Sequence, residues 1–231
     1  MQGEEGTARV VLIGVGATGC ALLPLISALG ITSIQLVDGD TVEAGNLSRQ
    51  RLFAPGDVGK LKVVASRERI ATVAPGIVWT TIPHFIDAAN IVTVLQGADI
   101  VADCTDDLTA RTMIERTCRS LRIPLVSGAV HGHQVQVITC HGAERSRRQE
   151  GFFRGRASED QMGCDMKRVP AAIPTFTAAL MALRITDLLA GGHGLAGVMD
   201  LVDADHGRWM RIMGPEAGEF LDTPIRPSNH V

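Results

Sequence analysis

No pair of cysteines spaced CxxC occurs in the chain, so a tetrahedral structural zinc site has little support. The five cysteines, Cys20, Cys104, Cys118, Cys140 and Cys164, are odd in number and come without an export signal. Reduced thiols are therefore expected rather than a disulfide framework. The opening segment, MQGEEGTARVV, is acidic and lacks the basic region and long apolar run of a secretory signal. The most apolar helical stretch, residues 171–190, is interrupted by Pro174, Arg184 and Asp187, which argues against a membrane span. Positive charge is not in excess either. A formal net charge of -3 leaves no electrostatic footprint for nucleic acid. These absences point to a cytoplasmic, soluble protein with neither membrane nor nucleic acid as a partner.

What is present suits one sizeable α/β domain. The chain has 231 residues, 45% of them hydrophobic, and its 25 glycines fit many tight strand–helix turns. An apolar run ending in glycine predicts a strand over Val10–Ile13, alternation predicts one over Ile77–Ile82, and further strands are read over Ser33–Val37, Ala98–Ala102 and Pro124–Ser127. Helices are predicted over Cys20–Leu29, Lys60–Ala74 and Leu108–Leu121, with Pro24 placed in the first turn of its helix. This alternation over residues 1–130 predicts a Rossmann-like, doubly wound, mostly parallel sheet. Past that point the pattern changes. QVQVIT alternates like a half-exposed strand, a helix is predicted over Ala171–Ala190, and a hairpin over Val198–Val202 and Arg208–Met213 adds antiparallel strands toward the C-terminus. Residues 131–213 thus form a second half, with an aperiodic loop over 141–170 and a polar tail over 214–231.

The chemistry concentrates in three places. GVGATG lies between a predicted strand and helix, the setting in which G-x-G-x-x-G cradles phosphates. Gly14 suits the tight turn, Gly16 the approach of phosphate, and Gly19 the close packing of helix on strand. Asp38 ends the next strand, about 20 residues on, where an acid accepts from ribose hydroxyls. That serves NAD, FAD and ATP equally. Arg49 and Lys62 discriminate, because expelling pyrophosphate from ATP builds charge that cations must neutralise, whereas hydride transfer needs neither. The third place is Asp103-Cys104-Thr105-Asp106, at the carboxyl edge of the fourth strand. A carboxylate there can hold Mg²⁺ against a triphosphate, or Thr105, Asp106 or Asp107 can simply cap the next helix.

In order and spacing, GVGATG, VDGDTVEAGNLSRQ, GKLK and DCTD resemble the ThiF/MoeB/HesA family, which is related to ubiquitin-activating enzymes. The resemblance runs from about Arg9 to Met213. It implies an adenylyltransferase that uses ATP and Mg²⁺ to activate the C-terminal glycine of a small ubiquitin-like sulfur-carrier protein ending in Gly-Gly, and it favours a homodimer. Carried over, it makes Asp38 the ribose-binding acid and Asp40 a further acid of that loop. Asn46, Arg49, Gln50 and Lys62 become phosphate-side residues, and Asp106, with Asp103 beside it, becomes the metal-side acid.

The chain also departs from the family pattern. Zinc is not expected, Asp107 stands where the family often has Asn, and Arg9 is too close to its strand to replace the arginine of the family's N-terminal helical segment. His131 and His133 occupy positions that are usually small, and they could share a strand face. Cys164 matches a crossover-loop cysteine that some relatives link covalently to the activated carrier, and Lys167 and Arg168 would favour its thiolate. Arg145, Arg147, Arg148, Arg154 and Arg156 are usually just a solvated loop, but Phe152 and Phe153 among them stand out in a chain with 3% aromatic residues. Such a pair suggests a protein contact. Two rival readings stay open: a nicotinamide or flavin oxidoreductase, and a catalytically weakened binding protein of the same fold.

Overall fold

RVVLI (Arg9–Ile13, β1) places four apolar residues in succession, as a strand covered on both sides requires. In the computed structural model, Val10 and Leu12 pack into one layer of core and Val11 and Ile13 into the other. Residues 8–141, 169–192 and 195–213 are described by the structure. Around β1 runs one eight-stranded sheet, in the order β3-β2-β1-β4-β5-β6-β7-β8. The strands are β2 (Ser33–Val37), β3 (Val78–Ile82), β4 (Ile100–Asp103), β5 (Leu125–His131), β6 (Gln134–Cys140), β7 (Val198–Asp203) and β8 (Arg208–Met213). Pairing is parallel from β3 through β5 and antiparallel from β5 through β8. The expected fold class is therefore the observed one.

Helices α1 (Ala17–Ile26), α2 (Lys62–Ile70), α3 (Ile91–Leu95), α4 (Leu108–Leu121) and α5 (Ala172–Leu189) complete the chain order. One layer of core holds α1, α2 and α5 against the sheet, the other α3 and α4. Several boundaries differ from those predicted, each for a local reason. Helix α1 begins at Ala17, because Gly16 is its N-cap, and Pro24 falls in its second half rather than its first turn. Helix α2 starts at Lys62, since residues 59–61 pair with 41–42 instead: Val42 N–H donates to Lys60 O at 2.8 Å, and Thr41 bridges Leu61. The short α3 was not predicted; it follows a turn in which Asp87 and Asn90 bond each other's backbone. Strand β5 continues past Ser127 through Gly128, where a side chain would overlap Met181 and Thr177 of α5. Gly128 is thus a point where helix α5 meets the sheet.

Helix α5 is the one helix among the described residues long and apolar enough to cross a membrane. Its Ala178, Met181 and Ile185 are fully buried against the rest of the fold. Its one cationic residue is also buried: Arg184 pairs with Asp200 of β7, whose other oxygen accepts from Trp209 Nε1 at 3.1 Å and Arg211 Nε at 2.9 Å. One buried carboxylate thus ties α5, β7 and β8 together.

Candidate active site

In an open α/β sheet, ligands bind outside the carboxyl ends of the strands, where neighbours leave in opposite directions. Here that point lies between β1, which continues to β2 and β3, and β4, which continues to β5. A cleft of about 960 Å³ opens there. Gly14, Gly16, Asp38, Asp40, Asn46, Arg49, Gln50, Lys62 and Asp106 all line it. Residues spread over ninety positions of sequence converge because each follows the end of a parallel strand or the loop that crosses above it.

The glycine turn is held by backbone geometry. Gly14 adopts φ +84°, and a Cβ there would lie 2.9 Å from the carbonyl of Cys104. A Cβ on Gly19 would overlap Gly14 O, whereas Gly16 has open space around it. The N-terminus of α1, with its unpaired N–H groups, therefore meets the cleft at a place without side chains. Gly19→Ala is expected to cost about 1–3 kcal/mol by overpacking. Gly16→Ala should cost far less, and urea denaturation of the two variants distinguishes them.

Asp38 is 7% exposed and accepts from Val15 N–H at 2.7 Å and Asp40 N–H at 2.8 Å. Burial pushes its carboxyl above the ordinary value of 3.8; the Lys62 charge and those two amides oppose the shift. Each oxygen keeps a second lone pair for a ligand hydroxyl. Asp40 was expected beside the ribose and Lys62 beside the phosphates. The structure places both at the cleft and in contact, Lys62 Nζ to Asp40 Oδ2 at 2.6 Å. Lys62 is buried to its tip, while Asp40 is half exposed and free to turn aside.

Above them, a 3₁₀ turn (Ala44–Asn46) carries the amide-rich loop. Arg49 donates to Asn46 Oδ1 at 2.6 Å and Gly45 O at 3.2 Å, which fixes its fork at the cleft wall. Gln50 is 4% exposed, and its Oε1 has no hydrogen-bond partner among the described residues, a buried amide left for whatever fills the cleft. Asp57 braces this loop from below: Ala54 N–H, Lys60 and Arg69 all donate to it and hold its carboxyl below the ordinary aspartate value.

The acids after β4 divide their work. Asp107 is the N-cap of α4, accepting from Ala110 N–H at 2.6 Å. Asp106 is exposed to the cleft, with no hydrogen bond or ion pair among the described residues. Asp103, expected at the metal, is fully buried beneath the cleft. Its Oδ1 accepts from Thr105 N–H and Oγ1 and its Oδ2 from Ser127 Oγ, so no coordination position faces the ligand space. The physical reason is strand alternation: Asp103 still belongs to β4, and Asp106 is the first acid beyond it.

Residues that the motifs did not reveal also line the cleft. Phe85 lies against Gly39, where a Cβ would come within 2.8 Å of its ring, and His84 and Ile86 flank it. An aromatic at the end of β3 in so aromatic-poor a chain was the available signal. Arg111 of α4 is another. His131 and His133 do not share a strand face, since Gly132 turns the β5–β6 hairpin between them. His131 lines the cleft, and His133 Nδ1 contacts Asp205 Oδ1 at 2.5 Å. Cys20, Cys104, Cys118 and Cys140 are free thiols, pushed well up by burial. Cys164, Lys167, Arg168, the arginine cluster with Phe152 and Phe153, and the 214–231 tail lie outside the described residues.

A sequence model of the ThiF family matches residues 3–217. Molybdopterin-synthase adenylyltransferase of Escherichia coli (strain K12) is 31% identical over 200 residues, covering 85% of this chain and 79% of that protein. The sulfur carrier protein ThiS adenylyltransferase of the same organism is 27% identical over 209 residues, covering 88% and 81%. Among solved structures, E. coli MccB with succinimide superposes with a TM-score of 0.79 at 19% identity, over 91% of this chain. The chain spans 65% of that protein's length, and this likeness shows the fold.

Proposed function

The chain belongs to the ThiF family, and from that premise we propose that it adenylates the C-terminal glycine of a small ubiquitin-like sulfur-carrier protein. The named relatives given above are adenylyltransferases, and neither lends support to hydride chemistry. The observation that carries the reading is the convergence on one cleft of the glycine turn, the Asp38 carboxylate, the Asn46–Arg49–Gln50 wall, Lys62 and Asp106.

In this proposal ATP lies with its phosphates over Gly14–Thr18 and its ribose at Asp38. A carboxylate oxygen of the carrier's terminal glycine attacks the α-phosphorus. The bond to the bridging oxygen breaks, and pyrophosphate leaves with that electron pair. No general base is needed, because the attacking carboxylate is already ionised near neutral pH. What the protein supplies is alignment and charge: Arg49 as a planar fork, and Lys62 as a point charge once Asp40 turns toward the ribose.

A divalent cation fits the same cleft. Its lining carboxylates, Asp38, Asp40, Glu43, Asp106 and Asp107, outnumber its Arg and Lys side chains, so a triphosphate needs further positive charge. Mg²⁺ is the ion that this charge balance calls for beside a triphosphate. That ion commonly takes one or two carboxylates plus substrate phosphates. Asp106 is the residue placed to hold it, and the bound ion supplies charge neutralisation on the leaving phosphates. A homodimer in the cytoplasm, and a later thiol step at Cys164, belong to the same proposal.

ATP–pyrophosphate exchange with a ThiS-type carrier tests it. Exchange is expected with the intact carrier and not with one lacking its terminal glycine. Thermal stabilisation by NAD instead of Mg²⁺–ATP, with no exchange, would overturn the reading.

A further inference from the structure

Asp106 has no partner of its own among the described residues, yet the residue before it is held from two sides. Thr105 N–H and Oγ1 donate to Asp103 Oδ1 at 2.9 and 2.7 Å. Thr105 O accepts from Arg111 Nη2, which also donates to Gly128 O at 2.6 Å. Arg111 Nη1 donates to Ser127 Oγ at 3.0 Å, and that hydroxyl donates to Asp103 Oδ2 at 2.7 Å. Arg111 and Asp103 are themselves 3.8 Å apart, with side chains 10% and 0% exposed. The circuit joins the end of β4, the first turns of α4 and the middle of β5.

We infer that Arg111, with Asp103 and Ser127, is a positioning unit that sets where the Asp106 carboxylate stands in the cleft. The inference rests on the nucleotide–metal reading above. An arginine whose fork is satisfied by a hydroxyl and two carbonyls has little left to offer a phosphate, so its effect passes through the backbone at Thr105. A planar fork is required because Ser127 Oγ, Thr105 O and Gly128 O lie on different segments, and a lysine ammonium would satisfy only part of the set. The network also explains why Asp103 is an acid although it faces no ligand. It receives three donors beneath the turn and balances a buried guanidinium. Outer partners of this kind typically change metal affinity by 10–100-fold when removed.

The test is calorimetric binding of α,β-methylene-ATP to the full chain, with and without Mg²⁺, for wild type, Arg111→Lys, Ser127→Ala and Asp106→Asn. In wild type Mg²⁺ should tighten binding, and Asp106→Asn should remove that gain. Arg111→Lys is expected to lose about tenfold of the Mg²⁺-dependent gain while its Mg²⁺-free affinity stays near wild type. Ser127→Ala, which keeps the arginine, should lose a smaller part. Equal losses with and without Mg²⁺ would make Arg111 a general support or a direct phosphate contact, and overturn the inference. So would an unchanged gain in Arg111→Lys. If Arg111→Lys fails to fold, Ser127→Ala decides alone by the same ratio. A wild type or Asp106→Asn that shows the wrong Mg²⁺ response instead brings down the metal reading itself, a separate result.

Discussion

Arg49→Ala is expected to lower ATP–pyrophosphate exchange by on the order of 10²–10³-fold, the usual loss when one donor to developing charge is removed. The structure makes this substitution cleaner than most. Arg49 is half-buried in the turn that follows the 3₁₀ segment and bonds only Asn46 Oδ1 and Gly45 O among the described residues, so no buried partner is orphaned. Its loss should leave the unfolding midpoint nearly unchanged. Asn46 would lose an ordering contact, adding a modest effect on ATP affinity. Exchange at the wild-type rate, measured with saturating carrier, would remove Arg49 from the proposed chemistry.

Asp200→Ala is expected to act on stability, with a cost of about 3–5 kcal/mol, as when one member of a buried ion pair is taken away. Asp200 is fully buried and answers three donors: Arg184 from α5, and Trp209 and Arg211 from β8. Arg184 is buried too, and burial already pulls its pKa below the ordinary arginine value. Without Asp200 its charge would be stranded between helix and sheet. Urea denaturation should show the loss. The double variant Asp200→Ala/Arg184→Met should recover part of it, because the stranded charge is then gone. A double variant no better than the single one would place the cost elsewhere.

The parallel half was legible because its signals are local. Strands β1, β2 and β4 are short apolar runs, buried on both faces, and Gly14, Asp38 and Asp103 mark their carboxyl ends. Asp38 and the glycine turn could be placed from order alone. What failed to show in sequence depends on side chains meeting across distance. The Lys62–Asp40 pair, the retreat of Asp103 beneath the cleft and the circuit through Arg111 are contacts between segments that no spacing rule links. Helix boundaries slipped where tertiary bonds outbid propensity, as at residues 59–61. The fifth strand was placed only to Ser127, whereas β5 runs on through Gly128, which admits the neighbouring helix.

The change of pairing direction between β5 and β6 has a consequence for how such a molecule can be altered. Up to β5, each added strand needs a helix to carry the chain back to the starting edge. Beyond it, β5–β6 and β7–β8 need only a reversal, through Gly132 and through residues 204–207, while α5 lies between β6 and β7 in the chain. Hairpins at that end can be lengthened, trimmed or exchanged while the nucleotide end keeps its register.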